Sequence, residues 1–259
     1  MLPGQLHFYR MKNKSALKKA AAVLFALIVW QLASMAVGYE ILLASPLSVL
    51  KTLFQIASEK SFWTTVLTTS LRIAAGFALA FVIGLILGIL ASRFEWVRTL
   101  LWPFVLTVKS VPVASFIVLS LIWLTSAKLA TFVVFMATLP VVYNNVLQGL
   151  ASVDPAQKEA AQMLGAGWLR TVRSVMIPGI RPYLLSSAST GCGMAFKAGV
   201  AAEVVALVSG SIGEQIYMSK VYFETAGLFA WTLVIILISF VFEKLFTLIL
   251  NALIKLCCA

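Results

Sequence analysis

Residues 151–182 read ASVDPAQKEAAQMLGAGWLRTVRSVMIPGIRP, a long polar segment inside a chain that is otherwise mostly apolar. Asp154-Pro155 marks a helix start. The Asp154 carboxylate can accept from the first free backbone N–H groups, Pro155 suits the first helical position, and Gln157 completes a capping-box pattern. The helix continues through Leu164 and meets Gly165 and Gly167, which permit a sharp turn before Trp168 to Arg173. The segment reads as a short helix-turn-helix standing outside the apolar parts of the chain.

Those apolar parts set the fold class. Of 259 residues, 61% are hydrophobic and 11% charged, and the mean hydropathy is +1.01, which excludes an ordinary soluble domain. The blocks approach the roughly 20 residues that cross a bilayer as helix, and none shows the alternation of a membrane barrel. Six are expected: near 20–37, 62–91, 100–124, 130–150, 183–208 and 228–250. The first exceeds the roughly 7–15 residues of a signal-peptide core, so it reads as a retained helix. Residues 39–61 mix apolar and polar positions at helical spacing, which predicts an interfacial helix. Gly84 and Gly88 have the spacing of a close helix contact, with lipid-facing glycine as the alternative. Pro103, Pro112 and Pro140 are expected to kink their spans, and the segment with Ser209-Gly210-Ser211 and Glu214 reads as a loop.

The net charge of +11 follows membrane topology rather than nucleic-acid binding. With the amino terminus in the cytoplasm, the cluster from Arg10 to Lys19 lies inside together with Arg93, Arg98, Lys158, Arg170, Arg173, Arg181, Lys244 and Lys255. Only Lys51, Lys60, Lys128 and Lys220 then lie outside. That asymmetry satisfies the positive-inside rule and places both termini and the 151–182 segment in the cytoplasm.

Within that segment Glu159-Ala160-Ala161, three residues, Gly165, nine residues and Val175-Met176-Ile177-Pro178 resemble the E-A-A…G…I-x-L-P loop of binding-protein-dependent importer permeases. Val175 stands where the family usually has Ile, and Ile177 where it has Leu. The resemblance extends from about Ser45 to Leu250. Ser152-Val153-Asp154-Pro155, Leu164-Gly165-Ala166 and Ala201-Ala202-Glu203 make the nitrate/sulfonate/taurine/bicarbonate branch the most similar. It implies an all-α membrane protein of six transmembrane helices with the MetI-like permease fold of type I ATP-binding-cassette importers. Residues 1–19 would be a basic cytoplasmic N-terminus and 20–259 the permease domain, with 151–182 as its coupling loop. It further implies a bacterial inner-membrane location, a second permease copy as a homodimer, two ATPase subunits inside, and a substrate-binding protein outside. The ATPase-coupling residues would be Asp154, Glu159, Ala160, Ala161, Gly165 and Pro178.

The sequence holds no G-x-x-x-x-G-K-[ST] phosphate loop, so ATP and Mg are expected on the partner ATPase and no cofactor on this chain. A single histidine, His7, leaves no H-E-x-x-H pair, and no G-x-S-x-G elbow is present, so no catalytic residue is expected. Cys192, Cys257 and Cys258 lack metal-ligand spacing, and no metal site is expected. Ionisable residues at membrane depth cost about 2.5–3.5 kcal/mol each on insertion scales, and mark a pathway or an internal pair. Lys109, Lys197 and Glu203 are the candidates for the solute pathway. Arg72 either joins them or snorkels outward. Lys197 and Glu203, six positions or about 600° apart, lie on different helix faces. Glu203 serves either the pathway or a structural pair with a neighbouring span. The alternative to an ATP-driven importer is an ion-coupled carrier or channel, which those charges also permit.

Overall fold

The computed structural model describes residues 3–165 and 167–258. The side chains of the basic lead Arg10, Lys12 and Lys14, and that of His7, lie outside the described residues, as does Ala166. Helices α1 (Pro3–Val37), α3 (Lys60–Arg93), α6 (Ser126–Ala151) and α11 (Thr225–Cys258) each carry a stretch long and apolar enough to cross a membrane. Within residues 39–61, whose spacing predicts an interfacial helix, the structure has a helix, α2 (Pro46–Ala57). Ser45 caps it by accepting from the Ser48 amide at 3.1 Å, and Pro46 opens its first turn.

Two expectations need correction. The block at 100–124 is not gently kinked but broken into two helices, α4 (Glu95–Ser110) and α5 (Val113–Ser120), bent by 103°. Pro112 supplies no N–H, and it holds the preceding Val111 in an extended conformation, ψ 129°, so the helix cannot run through. Pro103 and Pro140, by contrast, sit inside continuous helices. The second correction concerns the segment read as a loop after residue 208, which contains a helix, α10 (Ile212–Val221). Ser211 caps it by accepting from the Glu214 amide at 3.0 Å.

The 151–182 segment supplies two short helices, α7 (Pro155–Met163) and α8 (Trp168–Thr171). A five-residue π-helical turn, Val172–Met176, then leads into α9 (Ile177–Ala206). At 30 residues α9 is about 45 Å long, enough by length alone to cross a bilayer. It lies among α3, α6 and α11, which is why its packed side carries Ser187, Gly191 and Gly199, small residues that let the helices approach closely.

The core is the α3–α6–α9 contact. A Cβ added at Gly84 would lie 2.9 Å from Val142 Cβ, one at Gly88 would lie 2.7 Å from Val146 Cγ1, and one at Gly76 would overlap the Thr131 carbonyl oxygen. Of the two readings of the glycine spacing, close packing is the one realised. Phe77 and Phe81 from α3 then meet Phe246 of α11 edge-on, with centroids 4.7 and 5.0 Å apart. Over residues 20–37 helix α1 leaves most of its apolar surface exposed, and it is tied to the following turn by Trp30 Nε1 donating to the Ala44 carbonyl and Ser34 Oγ to that of Leu43.

The glycine contact makes a direct prediction. Gly76→Ala pushes a methyl onto a backbone oxygen that cannot rotate away, so it should cost about 1–3 kcal/mol and lower the unfolding midpoint of the detergent-solubilised protein. Gly193→Ala, on the same bundle but with nothing within 4 Å of the added carbon, should leave the midpoint in place. Equal midpoints for the two variants would contradict the packing.

Candidate functional site

Asp154 caps α7 through Oδ1, which accepts from the Ala156 amide at 2.9 Å. No return bond from the Gln157 side chain accompanies it among the described residues, so half of the expected capping box forms. The helix ends with the Leu164 amide on the Ala160 carbonyl, 3.1 Å, and the chain then turns at Gly165 with φ +73°. That left-handed conformation costs a residue with a Cβ roughly 1–2 kcal/mol. Glu159 and Ala160 are exposed and Ala161 is half-buried. Met163 and Leu164 are each 87% exposed, two large apolar side chains on a segment that is otherwise polar. Pro178 lies in the first turn of α9, directly after the π turn. Its missing N–H and its ring oppose the regular ladder, and the wider turn accommodates both. Val175 and Ile177 pack onto the core with buried Val153 and Ile180, which fixes both ends of the stretch that carries α7 and α8. The segment is therefore rooted in the bundle at its ends and presents an exposed apolar pair at its tip.

The three pathway candidates separate. Lys109 is exposed near the α4–α5 break, and Lys197 is exposed on α9. Ser186, Thr190 and Met194 are exposed on the same side of α9 as Lys197, as the helical period requires. Ser187, on another side, is buried and donates to its own helix at the Leu184 carbonyl, 2.8 Å.

Glu203 is fully buried. Its carboxylate meets Arg72 Nη1 at 3.4 Å and the Thr69 hydroxyl at 2.9 Å, and accepts from the Gly213 amide at 3.4 Å. The Ile212 amide in turn donates to Thr69 Oγ1 at 3.0 Å. One carboxylate thus joins the end of α9 to α3 and to the start of α10. Arg72 turns inward to this carboxylate, an outcome the sequence reading did not anticipate. A further contact was missed altogether: Ser189 on α9 donates to Glu243 Oε1 on α11 at 2.7 Å. Glu243 stands beside Lys244 in the sequence, but only the packing of the two helices reveals its partner.

The sequence profile described as "Binding-protein-dependent transport system inner membrane component" matches residues 80–255. The taurine transport system permease protein TauC of Escherichia coli strain K12 is 26% identical over 255 residues, covering 94% of this chain and 92% of that protein. The nitrate import permease protein NrtB of Synechocystis is 24% identical, covering 74% and 73%. The bicarbonate transport system permease protein CmpB of Synechococcus elongatus is 24% identical, covering 85% and 82%. Among solved structures, a crystal structure of an amino acid ABC transporter with histidines superposes with a TM-score of 0.54 at 18% identity, over 76% of this chain and 92% of that one, a likeness of fold. With the profile spanning two thirds of its length, the chain belongs to the family of binding-protein-dependent transport system inner membrane components.

Proposed function

We propose that the chain is the permease subunit of an ATP-driven importer of a small anion, and that α7 with its flanks couples it to a separate ATPase. The observation that carries this reading is the tip of the 154–165 segment. It is capped by Asp154, turned by Gly165, held at both ends by the core, and exposes Met163 and Leu164. Glu159 supplies an acceptor for a basic or backbone donor of the partner, Ala160 and Ala161 allow close approach, and Pro178 sets where the moving segment joins α9. In this reading two copies of the chain form the pore, two ATPase subunits hold ATP and Mg inside, and a binding protein delivers solute outside. The termini and the loop are cytoplasmic, as the distribution of Lys and Arg favours.

An anionic solute is supported by the relatives named for taurine, nitrate and bicarbonate, all of which carry an anionic group. It is also supported by Lys197 with its neighbouring hydroxyls on the open side of α9. Lys109 by the α4–α5 break is a second cation for the same path, while Glu203 serves the protomer's own architecture. An ion-coupled carrier or channel has no use for an exposed loop of this kind.

The test is affinity purification of the chain from native membranes, wild type beside Glu159→Ala and Gly165→Pro, with co-purifying ATPase quantified. Proline cannot adopt φ +73°, so Gly165→Pro should reduce ATPase recovery by about tenfold, and Glu159→Ala by less. No ATPase with the wild type, in a detergent that preserves complexes, would overturn the proposal.

A further inference from the structure

At the same end of the bundle as the coupling segment lies a cavity of about 680 Å³ between the α3–α4 turn, the end of α6 and the π turn. Its polar lining includes Arg93, Arg98, Asn144 and Gln148, and its apolar lining includes Leu147 and Met176. Both arginines are exposed, and neither has an ion-pair partner among the described residues. Glu95, between them in sequence, does not line the cavity. Beside them Phe94 is 44% and Trp96 67% exposed, aromatic rings of the kind that settle at headgroup level.

We infer that this cavity binds the phosphate headgroup of an anionic phospholipid, with the first carbons of one acyl chain along its apolar wall. Two guanidinium groups match a phosphate in charge and hydrogen-bonding geometry. Basic pockets between spans on the cytoplasmic side suit anionic headgroups. The volume falls in the roughly 300–1,000 Å³ range of small-molecule sites. The apolar wall separates a lipid from free inorganic phosphate, which gains nothing from Leu147 or Met176. Because Met176 belongs to the π turn that joins α8 to α9, a lipid seated here touches the segment through which coupling passes. The inference rests on the cytoplasmic orientation proposed above.

The test uses the full chain, delipidated in detergent and titrated with phosphatidylglycerol or phosphatidylcholine, with retained lipid counted by native mass spectrometry. Wild type should retain phosphatidylglycerol over phosphatidylcholine, and the pair Arg93→Gln/Arg98→Gln should lose at least about fivefold of that retention. Leu147→Trp fills the cavity with both charges intact and should lose it too. Lys51→Gln/Lys60→Gln, at the opposite end, should not. Retention unchanged in the arginine pair, or equal for the two lipids, overturns the inference. Displacement of phosphatidylglycerol by millimolar inorganic phosphate alone would assign the site to a free anion and overturn the lipid. The count needs no ATPase, so its failure is separate from failure of the coupling proposal.

Discussion

Met163→Asp/Leu164→Asp is expected to leave the chain folded in the membrane while abolishing its hold on the ATPase. Both side chains are 87% exposed in the protomer, so replacing them removes no packing inside it and the unfolding midpoint should stay at the wild-type value. Burial of a Leu or Met side chain in an interface groove is worth roughly 1.5–3 kcal/mol. Anchors of this kind carry most of an interface's energy, although paired losses do not simply add. Placing two carboxylates where two apolar groups should dock adds desolvation to the lost contact. ATPase recovery in the affinity experiment should fall by about a hundredfold, with ATP-dependent uptake lost in parallel. Wild-type recovery by the double variant would mean that the exposed tip of α7 is not the docking surface, whatever the fate of Glu159 or Gly165.

Much of the fold is legible in the sequence because the bilayer makes the signal coarse. Blocks of apolar residues near membrane length read as spans, and the Asp154 cap and the Gly165 turn are each set by the residues immediately around them. The limits of that reading are physical. Pro112 is visible as a kink, but whether a chain bends gently or by 103° depends on what receives the next segment, and α5 packs on α6 and α9. Helix α10 left a signal that the loop reading passed over: Ser211-Ile212-Gly213-Glu214 is an S-x-x-E start. The Ser211 hydroxyl caps the Glu214 amide there, while the Glu214 carboxylate accepts from the Gly210 amide at 2.7 Å. The six-residue separation of Lys197 and Glu203 was enough to put them on different faces, and one is exposed where the other is buried. The partner of Glu203 was not legible at all. Arg72 is 131 residues away, and no local pattern joins an arginine on α3 to a glutamate on α9.

That pair yields the other large expected effect. Glu203→Ala removes a fully buried carboxylate and strands three groups that face it: Arg72, whose side chain is 23% exposed, the Thr69 hydroxyl and the Gly213 amide. Breaking a buried pair on one side typically costs about 3–5 kcal/mol, because the remaining charge is left uncompensated. Partial exposure of Arg72 places the expected loss toward the lower end of that range. The variant should therefore show a clearly depressed unfolding midpoint, and faster proteolysis at 207–211, where α10 loses its tie to α9. Replacing both members, as in Arg72→Met/Glu203→Met, removes the stranded charge and fills much of the volume, so it should recover at least half of the lost stability. The recovery separates two roles that the sequence left open. A carboxylate that acts on the solute would give the reverse pattern: Glu203→Ala would retain its midpoint and lose uptake, and the double variant would not restore uptake. That pattern would return Glu203 to the pathway beside Lys197, whereas recovery by the double variant makes it the joint between α3, α9 and α10.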